Sequence, residues 1–503
     1  MRYTPKVKQH NLKQHFTDFK SVYATQILFN GGFYGLRAIF VLYAINQFFL
    51  KETQAVHLFA IFMMLCYGTS LLGGYMADKG LGVKKTIMLG GFLSSLGLLC
   101  VLSPSIDFMF LGLALTSLGS GYSKPNLLTA VGMLFENPKD PEKDKVYSFL
   151  FTAACLGNCI APLICGLVGK TYGWQYGIML LAVVFMGSTY FVYKHMHFHP
   201  SHKEESSLSS WTLYGSNLAL IIFLYLVFKY QESFHSLMGI ITVGSIAYLG
   251  KIFYQCNSQE RKDVLTIIAY LLLFVFCCAL VEQAGTSLML FYEKAVNRQV
   301  MGTVIPSATL LSLDSLFILF CSPLLFLLCR RYFEKTKPMN GFIKMGIGFL
   351  CFALSFGILA LSTYQENGSS IPLIWIVGVL FIQAIGGCWI TPVSISKISQ
   401  HAPPRFKGIL MSFWPMAIAY GHYLAGSVAQ LSVSDMTPLA VGNPLEGYRT
   451  FFMHLASLPL CIGLLILLFP IIRATITALK NYYYDTSFFI TNKIPRSRGV
   501  WRF

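Results

Sequence analysis

Charge is scarce in this sequence. Only 12% of its 503 residues are Asp, Glu, Lys or Arg, whereas 55% are hydrophobic and the mean hydropathy is +0.60. A soluble globular protein carries roughly 25% charged residues. Half that share cannot cover the water-facing surface of a chain this long, and the composition therefore excludes a soluble globular protein.

Acidic residues are scarcer than basic ones, with 21 Asp and Glu against 38 Lys and Arg, for a formal net charge of +17. The basic residues lie mostly between apolar runs, which is the topology signal of membrane proteins rather than a sign of nucleic-acid binding. The 13 cysteines show neither metal-ligand spacing nor a disulfide framework. We interpret them as small apolar packing residues and predict no metal and no cofactor.

Long apolar runs are abundant. Many reach 18 residues, which is enough for a helix to cross about 30 Å of hydrocarbon. The sequence predicts fourteen transmembrane helices. They fall at about 21–48, 55–77, 86–103, 107–134, 147–169, 175–194, 210–229, 236–256, 264–292, 303–329, 341–364, 371–396, 408–431 and 450–476.

The distribution of basic residues predicts the orientation. If the N-terminus is cytoplasmic, most loop Lys and Arg residues lie inside, and both polar termini are basic as well. The loops predicted outside hold only Lys51, Lys170, Lys294, Arg298 and Arg449. This asymmetry predicts a multi-pass plasma (inner) membrane protein with both termini in the cytoplasm.

Polar breaks divide the chain into parts. "KHMHFHPSHKEESSLSS" follows the sixth predicted span, and "CNSQERKD" follows the eighth. The predicted fold class is an all-α membrane protein with two six-helix bundles and an inserted two-helix hairpin. The predicted parts are a cytoplasmic N-terminal segment, the N-terminal bundle, the linker with the hairpin, the C-terminal bundle and a basic tail, at 1–20, 21–195, 196–263, 264–477 and 478–503. Parallel six-helix halves are one known transporter plan, although length and span count alone also suit a membrane enzyme or a sensor.

Four charged residues fall at membrane depth: Arg37, Lys124, Glu282 and Asp314. Each costs roughly 2.5–3.5 kcal/mol on insertion scales if it is left at mid-membrane. We expect them to face a water-filled cavity or one another at the seam between the halves, because two come from each half. The alternative is a pair of buried salt bridges that only tie helices together, although such pairs contribute little to stability.

Helix breakers and small residues flank three of these charges. Arg37 follows "NGGFYG", Lys124 lies in "GSGYSKPN" beside Pro125, and Glu282 lies in "VEQAGTS". Proline removes a helix hydrogen bond, and such breaks are tolerated in a membrane where they line a cavity. Small residues also allow close helix packing, which is the plainer interpretation of Gly31 and Gly32.

One loop motif resembles a known superfamily. "GGYMADKGLGVKK" at 73–85 is similar to the loop between the second and third helices of the major facilitator superfamily. Asp78 matches the acidic residue of that motif. The resemblance implies a cytoplasmic loop in which Asp78 pairs with cations across the seam and contributes to gating.

Further motifs resemble the proton-dependent oligopeptide transporter family. They include "LGSGYSKPNLLTAVGMLF", "VEQAGTSLMLF", "ITPVSISKISQHAPPRFKGILMSFW" and "GHYLAG". The matches run in order from about residue 24 to about residue 430. The resemblance implies the major facilitator fold with twelve core helices plus two, and uptake of di- and tripeptides driven by protons.

The resemblance also implies roles for individual residues. Lys124 matches a lysine that faces the peptide carboxylate, and Arg37 and Glu282 match an ion pair that forms an outer gate between the halves. The matched or aligned substrate-pocket positions are Asn30, Tyr34, Tyr67, Lys124, Asn126, Asp314 and Trp414. At Asp314 the family usually has asparagine.

The chain departs from the family pattern where protons are handled. Gln26, Phe29 and Asn30 stand in place of the first-helix acids and arginine, and Gly387 stands in place of a glutamate that receives the peptide amino group. Glu282 and Asp314 are the deep carboxyls left to carry a proton. His422 and His454, as lone histidines in late spans, are interpreted as hydrogen-bonding neighbouring helices rather than as proton carriers.

We therefore predict a secondary active transporter, not an enzyme, that moves di- or tripeptides or related solutes by alternating access and is proton-coupled by a non-standard route. The expected partners are a peptide-like small molecule, protons and the lipid bilayer, with no nucleic acid, and the monomer is the expected functional unit. Two alternatives remain open. One is a carrier for a non-peptide organic anion or modified amino acid without standard proton coupling, and the other is a non-transporting membrane sensor.

Overall fold

The computed structural model describes residues 6–133, 142–196, 210–328, 331, 339–364, 370–434 and 444–491. Most of the predicted polar linker and the end of the basic tail lie outside these residues. The α-helices of the first part of the chain are α1 (Lys6–Phe48), α2 (Glu52–Gly68), α3 (Ser70–Met76), α4 (Val83–Val101), α5 (Ile106–Met133), α6 (Glu142–Tyr172) and α7 (Trp174–His195). Those of the rest are α8 (Ser210–Lys229), α9 (Phe234–Gln255), α10 (Ser258–Val281), α11 (Ser287–Ala295), α12 (Ser307–Leu328), α13 (Gly341–Ser362), α14 (Leu373–His401), α15 (Lys407–Ser434) and α16 (Pro444–Thr491).

The helices form fourteen segments in the described chain when α2 is counted with α3 and α10 with α11. Eleven stretches of the described residues are long and apolar enough to cross a membrane. Helix α8 contributes a shorter apolar stretch, Tyr214–Lys229. Helices α5 and α15 are 28 residues each and are rich in small and polar side chains, which lowers their hydropathy. The number of helices agrees with the prediction.

Two hydrophobic cores organise the described helices. One is centred on α1–α7 and contains Phe29, Phe33 and Phe185, and the other is centred on α10–α16 and contains Phe274, Phe349 and Phe452. We call these helix groups the N half and the C half. They meet along two contacts, α2 against α15 and α6 against α12, which together form the seam.

Helices α8 and α9 form a peripheral hairpin joined by the 3₁₀ turn Gln231–Ser233. Helix α8 packs on α5, and only 11% of the most apolar window of Gln231–Gln255 is buried. Tyr225 and Lys229 of α8 both contact the carboxylate of Asp107 on α5, at 2.9 and 3.1 Å. The hairpin thus leaves most of its apolar surface for lipid.

Close packing within the N half depends on glycine. A Cβ atom on Gly97 of α4 or on Gly112 of α5 would collide with backbone atoms of the facing helix. Small residues let membrane helices approach in this way, because lipid supplies no hydrophobic driving force between them. Gly32 of α1 serves the same purpose, since a Cβ there would lie 2.8 Å from the ring of Phe185.

Two helices extend beyond the predicted apolar spans. The apolar stretch of α1 is Lys20–Phe48, in agreement with the predicted span at 21–48, but the helix itself begins at Lys6. Helix α16 continues to Thr491, past the predicted end near residue 476. Hydropathy locates only the lipid-facing part of a helix, whereas backbone hydrogen bonding continues beyond it. The predicted span 264–292 is interrupted by the 3₁₀ turn Glu282–Gly285.

Four two-residue strands lie between the C-half helices. Strand β1 (Val296–Asn297) pairs in parallel with β4 (Ile371–Pro372), and β2 (Gln299–Val300) pairs with β3 (Thr303–Val304) in an antiparallel hairpin. The β1–β4 pair connects the chain after α11 to the start of α14.

Candidate functional site

An ion pair joins the two halves in the interior. Arg37 Nε on α1 donates a hydrogen bond to Glu282 Oε2 at 3.1 Å, and the two side chains are only 7% and 12% exposed. The residues are 245 positions apart in the chain. The expectation that deep charges from the two halves meet one another holds for this pair.

Glu282 lies at the break between α10 and α11, where it faces the seam. Helix α10 ends at Val281, and Glu282 begins the 3₁₀ turn that ends at Gly285. A Cβ on Gly285 would lie 2.9 Å from the Phe59 ring and 3.7 Å from Arg37 Nε. The small residues of "VEQAGTS" therefore leave room for the guanidinium and for the ring beside it.

Lys124 lies inside a cage of aromatic rings. Its Nζ is 3.0 Å from the ring centroid of Phe33 and 3.9 Å from that of Tyr67. The nitrogen is buried and has no hydrogen-bond partner among the described residues. Cation–π contact is worth about 0.5–2 kcal/mol, which is less than the several kcal/mol that an ion loses on desolvation. The two rings therefore offset only part of the cost of burying this charge.

His422 of α15 approaches the same carboxylate oxygen of Glu282 as Arg37. Its Nδ1 is 3.3 Å from Glu282 Oε2, and its ring stacks on Tyr67 with centroids 5.0 Å apart. The residue is 2% exposed, and neither ring nitrogen has a hydrogen-bond partner among the described residues. The contact with Glu282 joins α15 to the turn after α10, and the interpretation of His422 as a residue that bonds a neighbouring helix stays a prediction. A titratable residue at mid-span was the signal for a functional site.

Other aromatic residues line the same region. Arg37 Cζ lies 5.5 Å from the centroid of the Tyr34 ring, and Tyr34 packs edge-to-face on Phe33. On the C half, Trp414 stacks on Phe274 at 5.4 Å, and its indole nitrogen has no hydrogen-bond partner among the described residues. The role of Trp414 in binding remains a prediction.

Asp314 of α12 interacts electrostatically with both Arg37 and Glu282. It is partly exposed and forms no ion pair with any of the residues that the structure describes. Its carboxylate is therefore the fourth charge of the site, and the described residues leave it without a direct counterion.

Two predicted site residues have other partners. Asn30 donates to the carbonyl of Gln26 within α1. Asn126 is 2% exposed and donates to the carbonyls of Gly73 and Tyr122, which ties α5 to α3. The roles of Asn30 and Asn126 in binding remain predictions.

Asp78 lies apart from these residues. It is exposed in the π-helical turn Ala77–Leu81 and makes no ion pair with described residues. The side chain of the neighbouring Lys79 lies outside the described residues. The gating role of Asp78 remains a prediction.

The seam is also closed near the connection between α1 and α2. Lys294 of α11 pairs with Glu52 of α2, and Gln430 of α15 contacts His57 of α2 at 2.6 Å between nitrogens. The structure thus holds the halves together at this end of the molecule, with the Arg37–Glu282 pair deeper inside.

Among the described residues there is no group of three or more His, Cys, Asp or Glu side chains placed to hold a metal ion. The charged side chains that the site presents are Lys124, Arg37, Glu282 and Asp314.

The sequence profile of the POT family matches residues 84–442. The chain belongs to the POT family. Among its POT relatives is the dipeptide and tripeptide permease A of Salmonella typhimurium (strain LT2), which is 25% identical over 465 residues, 90% of this chain and 91% of the permease. The permease of the same name from Escherichia coli (strain K12) is 24% identical over 466 residues, with the same coverage.

Solved POT structures share the fold. A crystal structure of a mutant peptide transporter POT in complex with alafosfalin matches with a TM-score of 0.79 at 24% identity, covering 90% of this chain and 94% of that chain. A POT family transporter in complex with 5-aminolevulinic acid matches with a TM-score of 0.76 at 23% identity, covering 90% and 95%. The predicted fold class is confirmed, and this POT protein is a membrane transporter rather than an enzyme.

Proposed function

We propose that this protein moves di- and tripeptides, or closely related small zwitterions, across the membrane by alternating access between its two halves. The observation that carries the proposal is the buried ammonium of Lys124, held between aromatic rings without an anion, close to an ion pair that spans the seam. The POT relatives named as dipeptide and tripeptide permeases support this substrate class.

A zwitterion needs a cation at one end of its site and an anion at the other. We assign the substrate carboxylate to Lys124 and the substrate amino group to Asp314. Asp314 suits that role because its partly exposed carboxylate has no ion-pair partner among the described residues. The place of the family's tenth-helix glutamate is taken by Gly387, where an added Cβ would meet nothing within 4 Å.

We propose that Arg37 and Glu282 form the gate, with Glu52 and Lys294 as a second pair nearer the surface. In this assignment the α1–α2 connection faces outward, both termini are cytoplasmic, and the structure is the outward-closed state of a carrier in the plasma (inner) membrane. The bundles 21–195 and 264–477 are the moving halves, the hairpin within 196–263 is peripheral, and the monomer is sufficient. A protease-accessibility assay at both ends of the chain tests the orientation.

A second candidate is a carrier for modified amino acids. The open space beside Gly387 and the ammonium of Lys124, which has no hydrogen-bond partner among the described residues, favour solutes whose main charge is anionic. Solved POT proteins that bind 5-aminolevulinic acid and alafosfalin support this class.

Uptake by purified protein in proteoliposomes tests the proposal. We expect labelled dialanine to accumulate under an inward proton gradient, and Lys124→Gln to lower uptake about 10- to 100-fold, because a lost charged hydrogen bond is worth about 1.5–3 kcal/mol. Lys194→Gln is the matched control, since Lys194 is exposed and donates to the hydroxyl of Tyr190 on the same helix at 3.1 Å.

Undiminished uptake by a folded Lys124→Gln variant contradicts the anchoring role of Lys124. If the unaltered protein moves no peptide, a thermal-shift screen across peptides, modified amino acids and organic anions distinguishes the second candidate from a sensor. A sensor binds a ligand without any flux of that ligand into liposomes.

A further inference from the structure

We propose that His422 couples protonation to the opening of the seam by competing with Arg37 for one oxygen of Glu282. The inference rests on the proposed transport function. It gives the chain a proton-binding side chain that compensates for the neutral residues Gln26 and Phe29 in α1.

The competition is visible at Glu282 Oε2. Arg37 Nε lies 3.1 Å from this oxygen and His422 Nδ1 lies 3.3 Å from it. Arg37 donates a hydrogen bond there, whereas the two ring nitrogens of His422 have no hydrogen-bond partner among the described residues. Leaving a buried polar group unsatisfied costs about 1–3 kcal/mol. Because an imidazolium donates from both ring nitrogens, a proton gained by His422 makes its Nδ1 a charged donor to Glu282 Oε2.

The topology gives this competition a direction. Arg37 belongs to α1 in the N half, whereas Glu282 and His422 both belong to the C half. The Arg37–Glu282 pair therefore holds the halves together, and a His422–Glu282 pair does not. Protonation of His422 gives Glu282 a counterion within its own half, and the seam can then separate without stranding the carboxylate.

The proton balance is simple. The imidazole of His422 takes one proton from water on the side of higher proton concentration and becomes imidazolium, while Glu282 stays a carboxylate. The proton leaves to water on the other side after the halves have exchanged exposure. Histidine suits this role because its charge changes near physiological pH.

The groups around His422 reinforce the effect. Tyr67 of α2 stacks on its ring and also lies under Lys124 of α5. On α10, Cys278 packs against Gly421, the residue that precedes His422. A proton on His422 adds positive charge to a site that already holds Arg37 and Lys124, and their mutual repulsion weakens the hold of Arg37 on Glu282.

The first test measures the seam directly. Spin labels on cysteines introduced at Lys51 and Gln299, which are exposed on the N half and the C half, report the distance across its outer end after the exposed Cys461 is replaced by Ser. We expect the population of long distances to rise when the pH falls from about 8 to about 5.5. No such change in the otherwise unaltered protein overturns the proposal without any variant.

Two variants isolate His422. His422→Phe keeps an aromatic ring on Tyr67, and His422→Gln keeps a polar side chain. We expect both to lose the pH response of the distance, whereas His454→Gln, at an exposed histidine of α16, keeps it. A pH response that persists in a folded His422 variant overturns the proposal.

Uptake supplies the second readout. If opening of the seam is coupled to one proton, the ratio of open to closed protein changes by up to about tenfold per pH unit. We expect the pH dependence of uptake that results to be weaker in both His422 variants. A uniform loss of uptake with an unchanged pH profile assigns His422 a structural role and overturns the coupling. Because the distance measurement needs no transported solute, a pH-responsive seam without any uptake contradicts the proposed function alone.

Discussion

Replacing Glu282 with glutamine keeps the size of the side chain but removes the charge that Arg37 meets across the seam. Both side chains of this pair are largely buried, at 7% and 12% exposure. Breaking a buried ion pair by removing one partner costs about 3–5 kcal/mol. Asp314 also interacts with Arg37 and still balances part of its charge in the variant. We therefore expect the closed state of the seam to lose about 2–3 kcal/mol of stability relative to the open state. At about 1.4 kcal/mol per tenfold, the ratio of closed to open seam falls about 30- to 150-fold.

The Lys51–Gln299 label pair measures this change at a constant pH near 8, where protonation of histidine contributes little. We expect mostly short distances with Glu282 present, mostly long distances in Glu282→Gln, and an intermediate distribution in Glu282→Asp. Exchanging the two charges, as Arg37→Glu with Glu282→Arg, restores part of the short-distance population, because the pair is re-formed in reverse. A Glu282→Gln variant with an unaltered distance distribution and unaltered uptake refutes the gate.

Three further predictions follow from particular contacts. Asp314→Asn raises the KM for a dipeptide about 10- to 100-fold but leaves the KM for an N-acetylated dipeptide nearly unchanged; an equal effect on both substrates contradicts the assignment of the amino group. Gly112→Leu lowers the melting temperature in detergent, since its side chain meets the α4 backbone and overpacking costs about 1–3 kcal/mol; unchanged melting contradicts the close approach. Lys294→Gln changes stability by less than about 1 kcal/mol, because the Lys294–Glu52 pair is half-exposed; a larger loss in chemical denaturation shows that this pair carries the seam.

The sequence was sufficient to identify the deep charges and the weak points beside them. The four deep charges were expected to face a cavity or one another because an isolated charge in hydrocarbon is costly, and the resemblance to the oligopeptide transporter family is what paired Arg37 with Glu282. The interruption at Glu282–Gly285 follows the small residues of that segment. His422 was undervalued, because its importance comes from Glu282 and Tyr67, which lie on other helices. Asn126, in contrast, was predicted to bind substrate, but its amide donates hydrogen bonds to backbone carbonyls of α3 and α5. No local sequence pattern indicates these bonds.

What the sequence determined by itself is the class of protein, the number of helices and the similarity of its motifs to the POT family. These depend on the transfer of single residues and short segments into lipid, which hydropathy measures one segment at a time. What only the tertiary structure decided is which charges share a partner. Arg37 and His422 reach one oxygen of Glu282 from opposite halves, because helix packing brings together residues that chain order keeps far apart. In the mechanism that we propose, that shared oxygen sets the balance between a closed and an open seam.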